Sequence, residues 1–274
     1  MPEVILNGIR AYYEESGEGE PICLLHGFSA SSYAWRKVVP ILSKDFHVYA
    51  LDLKGFGRSD KPENGDYSIW AFVDWVKEFF EKVGIEHTSL VGHSLGGRIG
   101  LLVTASCPEK VKNLILINPA AYRPQKQPFF IKFSRNRFIS KLVMRGVLAR
   151  YYVKKALKKA YFNHSLITEE EVDRYLEPLR SPAGRRGITS VARAIHNENT
   201  NNTMLYYKEV ICPVLLIWGE NDEIFSIGML NRLKNEINNI EVNLIPECGH
   251  VPQEEKPEIV CKSITEFIWS KLPA

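Results

Sequence analysis

Six short runs along the chain are almost continuously apolar: PICLLHG (21–27), HVYALDL (47–53), TSLVGH (88–93), NLILINP (113–119), PVLLIWG (213–219) and EVNLIPE (241–247). Apolar residues on consecutive positions, rather than on alternate ones, suit strands of a parallel sheet covered on both faces. Between several of these runs the period changes. In WAFVDWVKEFFEKVG (70–84), Trp70, Val73, Val76, Phe79, Phe80 and Val83 recur at intervals of three and four, and Gly84 offers a C-terminal stop. LGGRIGLLVTAS (95–106) and ITEFIW (264–269) read as helices as well. The opening EVILNGIRAYYEE reads as a hairpin, with Asn7-Gly8 suited to the positive φ angles of a tight turn. Strand, helix, strand, helix predicts an α/β layered fold.

Residues 121–210 break the rhythm. No convincing buried strand lies between Pro119 and Pro213, while 138–162 (FISKLVMRGVLARYYVKKALKKAYF) reads as a basic amphipathic helix and 169–179 (EEEVDRYLEPL) as another. The expected organisation is a core of 1–120 and 211–274 with a helical insertion, 121–210, lying over the strand ends.

Charge supports this division. The net balance of +3 says little, but residues 121–210 hold 18 Lys and Arg against 7 Asp and Glu, and the remainder holds 17 against 25. With 45% hydrophobic and 24% charged residues in 274, the composition is that of a globular protein with a sizeable core. No stretch approaches the roughly 18 uncharged apolar residues of a membrane helix, and the N-terminus lacks the pattern of a secretory signal. The five cysteines are scattered and form no CxxC, which fits buried or incidental thiols in a reducing cytoplasm rather than a metal site.

Candidate chemistry starts at LVGHSLGG (90–97), where an apolar strand stops at a serine flanked at a distance of two by Gly92 and Gly96. A serine between strand and helix sits on a sharp turn, and glycines on both sides remove side chains that would collide there. In a parallel sheet, ligands gather at the carboxyl ends of the strands, so Ser94 stands where chemistry is done. A serine hydroxyl needs a base, and the base an orienting acid. Of seven histidines, only His250 follows the last strand. WGENDEIF (218–225) places Glu220, Asp222 and Glu223 just past a strand, and Asp222 is the choice because an acid there can reach the next loop and meet His250. After the strand 113–119 there is Asn118 and no carboxylate. Donors for an oxyanion are the N–H of Leu95, at a helix start, and the N–H of Phe28, in the HGF that ends a strand.

HGFSASSYAW (26–35), DLKGFGRSD (52–60), GHSLGGRIG (92–100), WGENDEIF (218–225) and GHVPQEEKP (249–257) together resemble the α/β-hydrolase superfamily, in its order and across nearly the whole chain outside the insertion. The resemblance implies an eight-stranded, mostly parallel sheet with a helical cap after strand six. It implies Ser94 as nucleophile, His250 as base and Asp222 as acid, with Phe28 and Leu95 as oxyanion donors and Asp52 and Arg58 in structural roles. No His, Cys and Asp cluster has ligand spacing, so no metal or cofactor is expected.

Members of that superfamily that open epoxides or displace halide carry an aspartate at the elbow, where this chain has Ser94. Serine with histidine and aspartate fits attack on a carbonyl, an acyl-enzyme and then water, so hydrolysis of a carboxylic ester with an apolar acyl part is the leading expectation. Hydrolysis of a carbon–carbon bond in ring-cleavage products is the nearest alternative, although such relatives typically show Asn where this chain has His93. A slow-turnover small-molecule receptor is the alternative of a different class. No nucleic-acid motif is present. The basic helix 138–162, with Phe138, Ile139, Leu142, Val143, Val147, Leu148 and Tyr151 on one apolar surface, is expected to be a lid, and is also suited to peripheral contact with anionic lipid.

Overall fold

The structure, a computed structural model, describes residues 2–123, 146–198 and 200–271. Eight strands form one sheet in the order β1-β2-β4-β3-β5-β6-β7-β8. They are β1 (Glu3–Leu6), β2 (Ile9–Ser16), β3 (Glu20–Leu25), β4 (Phe46–Leu51), β5 (Thr88–His93), β6 (Val111–Ile117), β7 (Val214–Gly219) and β8 (Ile240–Ile245). The first two strands are antiparallel to their neighbours, and all pairings from β4 to β8 are parallel. Asn7 and Gly8 have φ of 48° and 75° in the β1–β2 turn, as a tight hairpin requires.

The apolar runs are two-sided. Leu90, Leu114, Leu116, Leu216 and Trp218 face a core shared with α1 (Ile69–Lys82) and α2 (Leu95–Ser106). Val91, Ile115, Ile117, Leu215 and Ile217 face a second core that includes Trp35, Val38, Leu42 and α7 (Pro257–Ser270). Alternation across the pleat therefore exists, but both faces are apolar. The two edge strands, β1 and β8, leave more of themselves to solvent.

α1 begins at Ser68, whose Oγ accepts from Ala71 N at 3.3 Å, and it is followed by Gly84 at φ 75°. It buries Ile69, Phe72, Val73, Trp75, Val76, Phe79 and Phe80. Trp70, expected on the inner face, is instead 37% exposed and stacks edge-on against Tyr206, at 5.0 Å between ring centres.

Between β6 and β7 the described residues form helices and no strand: α3 (Gly146–Ala160), α4 (Glu169–Arg180), α5 (Pro182–Asn197) and a short helix, Thr200–Met204. Thr168 caps α4, and Glu169, Glu170 and Glu171 fill its first turn, where the helix dipole favours negative charge. Ser181 caps α5 with Pro182 next to it. α6 (Ile227–Glu236) follows β7. The expected helix 138–162 is described only from 146, so Phe138, Ile139, Leu142 and Val143 lie outside the described residues. Within the helix, Leu148 and Tyr151 face outward, at 45% and 58% exposure, while Ala149 and Leu157 are buried. The expected inner surface thus loses two of its members.

Candidate active site

β5 runs into α2 through Ser94 alone. Its φ of 52° and ψ of −113° are sparsely populated for a residue with a side chain, a strain of order 1–3 kcal/mol that surrounding contacts must hold. Those contacts are visible. Ser94 N donates to Ile117 O at 3.0 Å, and Ala120 N and Arg98 N donate to Ser94 O at 2.8 and 3.2 Å. A Cβ on Gly92 would run into the carbonyl of Gly96, and one on Gly96 into the carbonyl of Leu25. The glycines let strand and helix fold back this closely.

The residues expected to act with Ser94 sit on the neighbouring strand ends. His250 follows β8, and its Nδ1 donates to Asp222 Oδ2 at 2.8 Å. Both side chains are nearly closed off from solvent, at 6% and 1% exposure. Asp222 lies just past β7 with every oxygen engaged. Oδ1 accepts from Ile224 N at 2.7 Å and Phe225 N at 3.0 Å, and Oδ2 also accepts from Asn118 Nδ2 at 2.7 Å. Burial works against its charge, but His250 and these donors outweigh burial and hold the carboxyl below its usual range. Glu220 and Glu223, the other carboxylates of that loop, are exposed.

His93 joins the two halves. Its Nε2 donates to the carbonyl oxygen of His250 at 2.8 Å, and the two rings lie 5.0 Å apart. The residue before Ser94 therefore holds the histidine loop against the elbow. Burial first, and then the proximity of His250, pushes the His93 imidazole down to about 3, so the ring is neutral and its Nδ1, without a hydrogen-bond partner, is bare of a proton. Gly27 approaches the same spot: a Cβ there would lie 2.9 Å from His93 Nδ1 and 3.2 Å from Ser94 Cβ. The chain at Gly27–Phe28 thus passes against Ser94. Leu95, the first residue of α2, has a backbone N–H with no acceptor one turn back in its own helix.

Asp52 and Arg58 brace the loop after β4. Asp52 accepts from Ser32 N and Arg58 N, both at 2.6 Å, and Arg58 reaches Tyr12 Oη at 2.9 Å. His26 is buried and accepts from Leu53 N at 3.0 Å, tying β3 to the same loop. Five cysteines are buried free thiols. Among the described residues no group of His, Cys, Asp and Glu could hold a metal, and no helix is long and apolar enough to cross a membrane.

Asp52 and Arg58 hold the structural places expected of them, whereas the parts played by Asn118 and His93 are not among the expectations from sequence. Asn118 entered only as a missing carboxylate, and His93 only as a departure from some relatives. Their place on the two strand ends beside Ser94 and Asp222 is the signal that would have found them.

Residues 20–257 match the model of the alpha/beta hydrolase fold. The chain belongs to this family. The α/β hydrolase is 30% identical over 266 residues to an uncharacterized hydrolase, YugF, of Bacillus subtilis (strain 168), covering 96% of each chain. It is 26% identical to a soluble epoxide hydrolase of Corynebacterium sp. (strain C12), over 97% of this chain and 96% of that one. Among solved structures, a meta-cleavage product hydrolase from Pseudomonas fluorescens IP01 superposes with a TM-score of 0.86 at 24% identity, covering 99% of this chain and 98% of the other. At that identity the likeness is one of fold.

Proposed function

We propose that this α/β hydrolase is a serine hydrolase that cleaves carboxylic esters through an acyl-enzyme. The observation that carries the reading is the hydrogen-bonded His250–Asp222 pair held by His93 against a strained turn whose residue is serine. Family members that open epoxides carry an aspartate at this turn, so the similarity to an epoxide hydrolase does not extend to the reacting residue.

Ser94 Oγ attacks the ester carbonyl carbon while His250 Nε2 takes the hydroxyl proton, and Asp222 stabilises the imidazolium through Nδ1. The carbonyl π pair moves onto oxygen, which accepts from the N–H groups of Leu95 and Phe28. When the tetrahedral intermediate collapses, the bond to the alkoxy group breaks and His250 returns its proton to the departing alcohol. Water then attacks the acyl-Ser94 with His250 again as base, and the acid leaves with Ser94 regenerated.

Ser94→Ala and His250→Ala should each lower kcat by roughly 10⁴- to 10⁶-fold, with the double variant little worse, because the residues act as a unit. Asp222→Asn should cost roughly 10⁴-fold through the wrong histidine tautomer, while Glu220→Gln stays near wild type. The assay is a panel of p-nitrophenyl esters of increasing acyl length together with a ring-cleavage diketone. Faster turnover of the diketone would move the reading to carbon–carbon hydrolysis, and tight binding with negligible product release would move it to a receptor. A serine-directed phosphonate that labels any serine other than Ser94 would sink the mechanism.

A further inference from the structure

The loop that carries His250 rests on the helices inserted between β6 and β7 as well as on the sheet. His250 N donates to the carbonyl oxygen of Ala160, the last residue of α3, at 2.6 Å. One residue earlier, Gly249 N donates to Glu255 Oε1 at 2.7 Å. The other oxygen of that carboxylate, Oε2, accepts from Phe162 N and Asn163 N, each at 2.9 Å. One residue later, Val251 packs with Leu157, Tyr161 and Val172 of the inserted helices. The fit is tight: a Cβ on Gly249 would overlap the carbonyl oxygen of Ala160 and lie 2.8 Å from Phe162 N.

We infer that Glu255 is a positioning residue for the His250 base, clamping the end of α3 to the backbone just before the histidine and so coupling the seating of the inserted helices to the aim of the ring. This rests on the reading of Ser94, His250 and Asp222 given above. The aim of a histidine is set by its Nδ1 partner and by the backbone from which the side chain springs. Asp222 supplies the first, and the Glu255 clamp supplies the second. A carboxylate offers acceptors on both oxygens, and here both sides present donors: Gly249 N and, at 3.9 Å, the Cys248 thiol to Oε1, and Phe162 N and Asn163 N to Oε2. An amide in its place would set its own donors against one of those sides. A misplacement of about 1 Å is enough to cost about 100-fold in rate.

The test uses the rate at which a fluorophosphonate labels Ser94, which depends on an aimed base and needs no knowledge of the natural substrate. Glu255→Gln should label about 10- to 100-fold more slowly and lose a similar factor in kcat, with KM changed by less than about threefold. The acidic limb of kcat/KM should move to lower pH, since a loosened pair lets Asp222 stabilise the imidazolium less. Gly249→Ala, which keeps Glu255 and all its oxygens but wedges the loop away from α3, should show the same signature, and joining the two changes should add little. Tyr175→Phe is the control. It removes a 2.5 Å donor from the neighbouring Glu254, so it should lower stability and leave the labelling rate and pH limb in place.

If wild type is not labelled at Ser94, the triad reading fails. If wild type is labelled and the folded variants label at the wild-type rate, the clamp is wrong and the triad stands. Should Glu255→Gln not fold, Gly249→Ala decides alone.

Discussion

A neutral imidazole with one engaged nitrogen, held between Ser94 and His250, makes His93 sensitive to pH in a direction that can be worked out. An unfolded chain binds a proton at this histidine near pH 6.5, whereas the folded chain resists until about 3 because burial and the neighbouring His250 oppose the charge. Between those values the unfolded state holds more protons, so stability falls as pH falls, by up to about 1.4 kcal/mol per pH unit from this residue. His93→Gln, whose amide nitrogen reaches the position of Nε2, keeps a donor for the His250 carbonyl and removes the titration. Measured by urea unfolding, the variant should gain on wild type steadily as pH drops from 6.5 toward 4. A difference that stays constant over that range would mean that His93 is not the buried neutral ring described here.

At the scale of elements, the inserted helices are joined to α2 by a buried ion pair. Arg98 Nη2 donates to Glu198 Oε1 at 2.7 Å and to Thr203 Oγ1 at 2.8 Å, with Arg98 only 3% exposed. Arg98→Met would strand the Glu198 carboxylate, and breaking such a pair from one side costs about 3–5 kcal/mol. Arg98→Met with Glu198→Leu should recover most of that loss. If the single variant unfolds at the wild-type urea midpoint, the pair is not a structural joint. Contacts of this kind explain what could be read from the chain and what could not. Strands β3 to β7 declared themselves as near-continuous apolar runs and β8 as a run broken by Glu241 and Asn243, and Ser94, Asp222 and His250 stood out because each lies just past one of those runs. Arg98 meets Glu198 across 100 positions, and Arg36 meets the buried Glu254 across 218. No local period announces such a pairing. α5 does carry an apolar face, with Ile188, Val191 and Ala192 buried at helical spacing, but its closest approach is through glycine, a Cβ on Gly187 running into the carbonyl of Gly55, and no sequence pattern names that partner.

For the molecule as a whole, the segregation of charge is the property with a measurable consequence. The basic segment 121–210 does not present all of its charge to solvent. Arg150 and Lys154 turn toward α4, where Arg150 pairs with Glu169 and with Asp173 at 2.8 Å, and Lys154 pairs with Glu169 at 2.7 Å. Among the described side chains of α3, the exposed ones are Leu148, Tyr151, Lys155, Lys158 and Lys159, whose steps of three and four (148, 151, 155, then 158 and 159) put them on one side of the helix. Apolar residues beside lysines on one side are what an anionic lipid surface attracts. Each lysine near such a surface contributes about 1 kcal/mol, so changing Lys158 and Lys159 together to Gln should weaken partitioning onto anionic vesicles by about 30-fold. Sedimentation should show wild type retained on anionic but not on neutral vesicles at low salt, and released as salt shortens the screening length to about 8 Å and below. Lys154→Gln, which removes a charge already paired with Glu169, should change retention far less. Equal binding to both kinds of vesicle, or none to either, would leave the stripe as the solvated outer side of a helix whose work is done on its other face, at Ala160 and His250.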